Sequence, residues 1–325
     1  MKTIYLIGNA HIDPVWLWKK SEGLSEILST YRSALDRMKE FPEYIFTSAC
    51  AYYYHWVETI DPAMFQEIQR RVQEGRWSVT GGFWIQPDCN LPSGEAFCRH
   101  ALYSQRLFQE KLGVTAKVGY NVDSFGHNGM LPQLLKKAGM DSYVFMRPGS
   151  HENAALPDLF YWEAPDGSRV LTHKIKYEYT DFWGAPEGTE PLTGKIRLLE
   201  TLAEENHIPY LDFYGVGNHG GGPTIRGLRV LEKAVCENSQ IAFASTQDYF
   251  QDVRDSGLDK DLPVIRGSLL HHASGCYAAN SAVKRANRQG ENALLKAEKF
   301  DMLAQRLTGS KGSADRLREA WEKVL

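Results

Sequence analysis

Four short segments of this 325-residue chain carry side chains able to bind a cation or attack an electrophilic carbon. The first is His11-Ile12-Asp13. In extended backbone, residues at i and i+2 turn their side chains to the same side. An imidazole nitrogen beside a carboxylate oxygen suits a borderline divalent cation such as zinc. The competing reading is a hydrogen-bonded His–Asp pair, a common way to satisfy buried polar groups.

The second segment is Asn121-Val122-Asp123-Ser124-Phe125-Gly126-His127. Asp123 has three readings: a third ligand, a nucleophile, or an N-cap for a helix at Asn128. Taken alone, the cap is the commoner use. His127 either supports a ligand or is a packed histidine. The third is Gly217-Asn218-His219-Gly220-Gly221-Gly222-Pro223-Thr224. Three consecutive glycines let backbone approach a ligand closely. The GKS/GKT ending of a phosphate loop is missing, and a plain flexible turn competes. The fourth, Gly81-Gly82-Phe83-Trp84-Ile85-Gln86-Pro87-Asp88, fits a sugar-binding rim. Asp88 alternatively starts a turn before Pro92 and Ser93.

Each segment follows a short apolar run. Strands are predicted over Ile4–Asn9, Tyr44–Ser48, Trp77–Thr80, Val118–Val122, Tyr143–Arg147, Leu211–Val216 and Ile241–Ala244, with the first apolar run beginning at Met1. Helical spacing recurs at Leu24, Ile27, Leu28, Tyr31, Leu35 and Met38. Asp61-Pro62 opens a helix that Gly75 stops. Ser93 opens another, closed at Leu112-Gly113. Leu131–Ala138 and a stretch from Ile225 are also helical. Leu159 to Lys176 reads as a hairpin turning at Asp166-Gly167. Strands alternating with helices predict an α/β fold of parallel βαβ units. Barrel enzymes of this kind place catalytic groups at the C-terminal ends of strands, where all four segments fall. After about Arg266 the pattern changes to a long helix, Ala279–Leu307, and a second from Ser313. A helical pair buries its apolar faces poorly, so a fragment of a longer protein is expected.

Composition narrows the classes. The net charge is −3, from 37 basic and 40 acidic residues well mixed along the chain, which excludes a basic face for nucleic acid. No stretch approaches the roughly 20 apolar residues of a membrane span. The five cysteines, Cys50, Cys89, Cys98, Cys236 and Cys276, show no CxxC spacing. They are expected to be reduced in a cytoplasmic protein. Aromatics reach 12%, with 8 Trp and 16 Tyr. Such rings stack on sugars or, more commonly, fill cores.

His11-Ile12-Asp13-Pro14-Val15-Trp16-Leu17 resembles the opening motif of the family 38 glycoside hydrolases, the class II α-mannosidases. Asp123-Ser124-Phe125-Gly126-His127 resembles that family's nucleophile motif. Gly217–Thr224 resembles the glycine-rich loop of its bacterial and cytosolic branch. His272-Ala273-Ser274-Gly275-Cys276-Tyr277, followed by Lys284–Arg288 and Glu291, is similar to the segment entering its helical bundle. The resemblance implies a seven-stranded (β/α) barrel over residues 1–265 and the start of a helical bundle over 266–325. It implies zinc held by His11, Asp13 and Asp123, with Asp123 also the nucleophile. Trp16 would stack under mannose, and Phe125, Arg147 and Asn218 would line the substrate pocket.

Two departures stand out. No QxHD-type motif supplies the family's fourth zinc ligand. The glycine-rich loop, where the acid/base carboxylate is expected, reads Asn218-His219. His219 is left with three roles: protonating the leaving oxygen, completing the zinc shell, or orienting substrate. The implied activity is zinc-dependent, retaining removal of terminal α-linked mannose from oligosaccharides. Metal-dependent carbohydrate deacetylation and non-catalytic sugar binding are the rivals. Nucleic acid and membrane are not expected partners; self-association is left open.

Overall fold

The computed structural model describes residues 2–181, 190–273, 275–276 and 279–325. Met1, Ser274 and Tyr277 lie outside the described residues. Strand β1 (Lys2–Asn9) is buried at six successive residues, Ile4 to Asn9. Burial on both faces is the mark of a parallel strand covered by helices. One edge of β1 pairs in parallel with β8 (Tyr210–Tyr214). The other pairs first with β9 (Ser239–Phe243), then at Gly8 and Asn9 with β2 (Phe46–Ser48). β3 (Trp77–Val79) extends the sheet beyond β2.

A second sheet runs in the order β10 (Val264–Arg266), β6 (Leu159–Glu163), β7 (Arg169–Lys174), β5 (Ser142–Phe145) and β4 (Val118–Asn121). β6 and β7 form the antiparallel hairpin predicted at Asp166-Gly167, with Gly167 at φ 82°.

These two five-stranded sheets correct the expected seven-stranded barrel: among the described residues no closed barrel is formed. At one seam a single bridge joins Gly81 to Gly119, with the Gly81 N–H donating to the Val118 carbonyl at 2.8 Å. At the other, β7 and β8 share no ladder among the described residues. The reason is local. β7 already uses one edge on β5 and the other on β6, its hairpin partner. Side chains fill the gap instead. His173 Nε2 reaches the Leu211 carbonyl at 3.0 Å. Lys195 Nζ takes the carbonyls of Glu178, Thr180 and Phe213 at 2.7, 3.0 and 2.5 Å.

Helix α1 (Lys20–Glu40) buries Leu24, Ile27, Tyr31, Leu35 and Met38 of the predicted stripe, and Leu28 is half-buried. α2 (Ala51–Ile60) follows β2. α3 (Pro62–Gln73) starts at Asp61, whose side chain accepts the Met64 N–H. α4 (Gly94–Leu112) starts at Ser93 and ends at Gly113, φ 74°. α5 (Leu131–Lys137), α6 (Pro191–Asn206), α7 (Ile225–Leu231) and α8 (Thr246–Asp255) complete the layer. α2, α6 and α8 are not among the predicted helices; α2 is crowded with aromatics that blur any apolar stripe.

Much of the aromatic excess is core. Trp77 packs edge-on against Tyr31 at 4.9 Å and Phe46 at 4.8 Å, and its Nε1–H donates to Tyr54 Oη at 2.8 Å. Each such ring removes about 150–250 Å² from water, which makes this cluster a main source of stability under β2 and β3. Beyond β10, α9 (Ser281–Thr308) and α10 (Ala314–Val324) dock on α4. Arg99 forks onto Glu298 at 2.5 and 2.8 Å and lies 4.5 Å over the ring of Trp321.

Candidate active site

His11 and Asp13 follow the end of β1, and Asp123 follows the end of β4. Strand ends from the two sheets thus meet. His11 Nε2 lies 3.3 Å from Asp13 Oδ1 and 3.8 Å from Asp123 Oδ2. One donor atom from each of the three falls within 4.8 Å of the others. His11 is 6% exposed, and its Nε2 is buried without a hydrogen-bond partner. An orphaned buried polar atom costs about 1–3 kcal/mol. One imidazole nitrogen and two carboxylates around such an orphan fit a divalent zinc ion.

The glycine-rich loop holds the His11–Asp13 segment through backbone. The Asn218 N–H donates to the His11 carbonyl at 2.6 Å, and the Asp13 N–H donates to the Asn218 carbonyl at 2.7 Å. Asn218 sits at φ 69°, a left-handed conformation that asparagine tolerates better than most residues. Its side-chain Oδ1 accepts from Tyr179 Oη at 2.7 Å, and the Tyr179 ring lies edge-on to His11 at 4.9 Å. Tyr53 Oη donates to the Ile12 carbonyl at 2.7 Å.

Asp123 caps no helix: Arg147 Nε donates to its Oδ1 at 2.9 Å, and α5 opens later, at Leu131. The Arg147 guanidinium also lies 5.8 Å from the ring centre of Phe125. His127 is fully buried, and burial pushes its pKa down to about 4. The ring is therefore neutral. Because a carbonyl only accepts, Nε2–H donates to the Arg147 carbonyl at 2.8 Å, while Nδ1 accepts from Tyr143 Oη at 2.7 Å. His127 is the packed histidine, and it steadies the residue that grips Asp123.

A cleft of about 270 Å³ opens above the cluster, lined by His11, Asp13, Gln86, Asp88, Asp123 and Phe125. Asp88 both lines it and starts a turn: its Oδ1 accepts the N–H groups of Asn90 and Leu91 at 2.8 and 3.0 Å. A second cavity of about 420 Å³ is lined by Arg147, Glu178, Tyr179 and Asn218. Trp16 is 59% exposed and lies edge-on to Trp18 rather than lining the cleft.

His219 is not brought to the cluster. Its Nε2 pairs with Glu22 on α1 at 2.9 Å, and its ring packs edge-on to Trp18 at 4.5 Å. Two residues join the site that carried no local signal, Tyr53 and Tyr179; Gln86, from the fourth segment, stands 3.1 Å from His11 Nδ1. Their contacts span 41 to 168 positions along the chain, beyond any motif. Nearby, His272 Nδ1 pairs with Glu152 at 2.6 Å and lies edge-on to Phe125 at 5.3 Å.

The Glycosyl hydrolases family 38 N-terminal domain matches residues 1–268. The chain belongs to glycosyl hydrolase family 38. It is similar to an α-mannosidase of Saccharomyces cerevisiae, 27% identical over 347 residues that take in 100% of this chain and 31% of the relative. Human Alpha-mannosidase 2C1 is 28% identical, over 93% of this chain and 29% of its own length. The family 38 chain thus spans about a third of the length of these curated relatives. Among solved structures, an α-mannosidase from Enterococcus faecalis V583 superposes with a TM-score of 0.81 at 20% identity, covering 100% of this chain and 38% of that one. A putative polysaccharide deacetylase from Mycobacterium smegmatis shares the fold more loosely, with a TM-score of 0.56 at 13% identity over 79% of this chain and 92% of that one.

Proposed function

We propose that the protein is a zinc-dependent, retaining α-mannosidase that removes terminal α-linked mannose from oligosaccharides. The observation that carries this reading is the meeting of His11, Asp13 and Asp123 around an orphaned Nε2, with Arg147 gripping the far oxygen of Asp123. A zinc ion held by these three residues would serve as a Lewis acid and template toward vicinal sugar hydroxyls.

The rest of the chemistry belongs to side chains. Arg147 fixes Asp123 Oδ1 and so aims Oδ2 into the cluster. The Asp123 carboxylate attacks the anomeric carbon, the glycosidic C–O bond breaks, and the departing oxygen takes a proton from an acid. Water then cleaves the glycosyl ester with overall retention. The second cavity, beyond Arg147, offers room for the departing sugar.

The test is hydrolysis of p-nitrophenyl α-mannoside, abolished by a chelator and restored by zinc, with the α-anomer as first product by NMR. Asp123→Asn should lower turnover by roughly a thousandfold or more, as loss of a nucleophile does. Near-normal turnover in that variant sinks the assignment of Asp123. The cluster's donor set also suits metal-dependent deacetylation. Acetate release from an acetylated sugar without glycoside cleavage would favour that second reading, and sugar binding without turnover would reduce the site to a binding module.

A further inference from the structure

We infer that Gln86 is a positioning residue: its amide decides which nitrogen of His11 is free to bind a cation. The inference rests on the metal reading above. Gln86 Nε2 stands 3.1 Å from His11 Nδ1. Two buried atoms beside this contact lack partners, Gln86 Oε1 and His11 Nε2. With the amide nitrogen donating to Nδ1, the ring proton sits on Nε2 and points toward Asp13 Oδ1 and Asp123 Oδ2, at 3.3 and 3.8 Å. That tautomer has no lone pair on Nε2, so it cannot ligate there.

A half-turn of the amide changes this without moving a neighbour, because its two ends have nearly the same shape. Oε1 then accepts from Nδ1–H, and the Nε2 lone pair faces the two carboxylates. One proton leaves Nε2 for solvent and one arrives at Nδ1, so the exchange changes no proton count. The same rotation gives Oε1 a partner and readies Nε2 for a cation, while the amide nitrogen moves to the place Oε1 left. The backbone around Gln86 is anchored: the Ala51 and Tyr52 N–H groups donate to the carbonyls of Phe83 and Trp84 at 3.1 and 2.8 Å. The buried Cys50 thiol packed near Gln86 is weak both as donor and as acceptor, so it tolerates either amide end.

Two measurements on the purified protein test this. The first is zinc affinity by competition with a chromogenic chelator. The second is the ¹⁵N shifts of the His11 ring in metal-free protein, which report the tautomer and need no zinc. Gln86→Leu should bind zinc about 10–100-fold more weakly, the usual effect of removing the outer partner of a ligating histidine. Gln86→Glu, an obligate acceptor, should bind at least as tightly as wild type and move the metal-free ring to the Nδ1–H form. Affinity within twofold of wild type in Gln86→Leu overturns the inference. An unchanged ring tautomer in Gln86→Glu overturns it too, even if Gln86→Leu does not fold. If wild type binds no zinc, the metal reading fails instead, and the ¹⁵N comparison still decides the role of Gln86.

Discussion

Lys195 sits in the seam that keeps the two sheets from closing, and its removal has a calculable cost. Lys195 and Asp212 are 1% and 0% exposed, and their charged groups lie 2.9 Å apart. The ammonium also satisfies three carbonyls. Lys195→Met leaves a buried carboxylate without its counter-ion, which costs about 3–5 kcal/mol. At about 2–4 °C per kcal/mol, thermal unfolding should drop by roughly 6–20 °C at pH 7. The pH dependence has a definite sign. Burial raises the Asp212 carboxyl above its ordinary value of 3.8, and losing Lys195 raises it further. A group with a raised folded pKa contributes stability below its unfolded value and loses it as pH rises through the folded value. The gap between variant and wild type should therefore narrow on acidification. Asp212→Asn placed on top of Lys195→Met should recover part of the loss at pH 7. Calorimetry across pH checks all three points. A loss under about 1 kcal/mol at pH 7, well below the cost of an uncompensated buried charge, refutes the reasoning.

Further outcomes follow from buried imidazoles and from the grip on Asp123. Burial lowers His100 to about 3 and His127 and His173 to about 4. Depressed values leave stability intact above the ordinary 6.5 and erode it as pH falls toward 4; at pH 5 each ring costs about 2 kcal/mol, so acid unfolding should set in between those limits. His127→Phe should flatten that slope in a melting-temperature series; an unchanged slope would show that this ring is not a source. Arg147→Lys loses the Nε–H donor to Asp123, a charge-assisted bond worth about 1.5–3 kcal/mol, so kcat/KM on an α-mannoside should fall roughly 10–100-fold. Zinc content by metal analysis should be unchanged, and loss of metal instead would mean that Arg147 acts on the ligand cluster.

The elements around the site differ in how readable they were. α1, α3 and α4 were legible because their apolar spacing, caps and terminal glycine are local properties. The Asp166-Gly167 hairpin was legible for the same reason. α6 and α8 were not predicted, although α8 carries a capping box at Ser245 and Asp248. The closed barrel failed on the sharing of strand edges: the hairpin partner β6 takes the edge of β7 that a barrel would need for β8. His219 and Asn218, adjacent in one motif, part ways because Asn218 adopts a positive φ, and the next side chain turns out to Glu22.

The sequence alone determined the chemistry available: a His and an Asp two residues apart after one strand, and an Asp after another. Their types and spacing left a cation pair and a hydrogen-bonded pair both open, and the resemblance to family 38 supplied the ligand set. Only the tertiary structure decided that His11 Nε2 meets both carboxylates and is left without a partner. It alone seated Arg147 on Asp123 and set Gln86 behind the His11 ring. Those contacts join residues 24 and 75 positions apart, and they form only when separate strand ends are packed side by side. The physical reason is that local propensity acts over a few residues, whereas a polar site is made by whichever buried groups the packed sheets bring within hydrogen-bond reach.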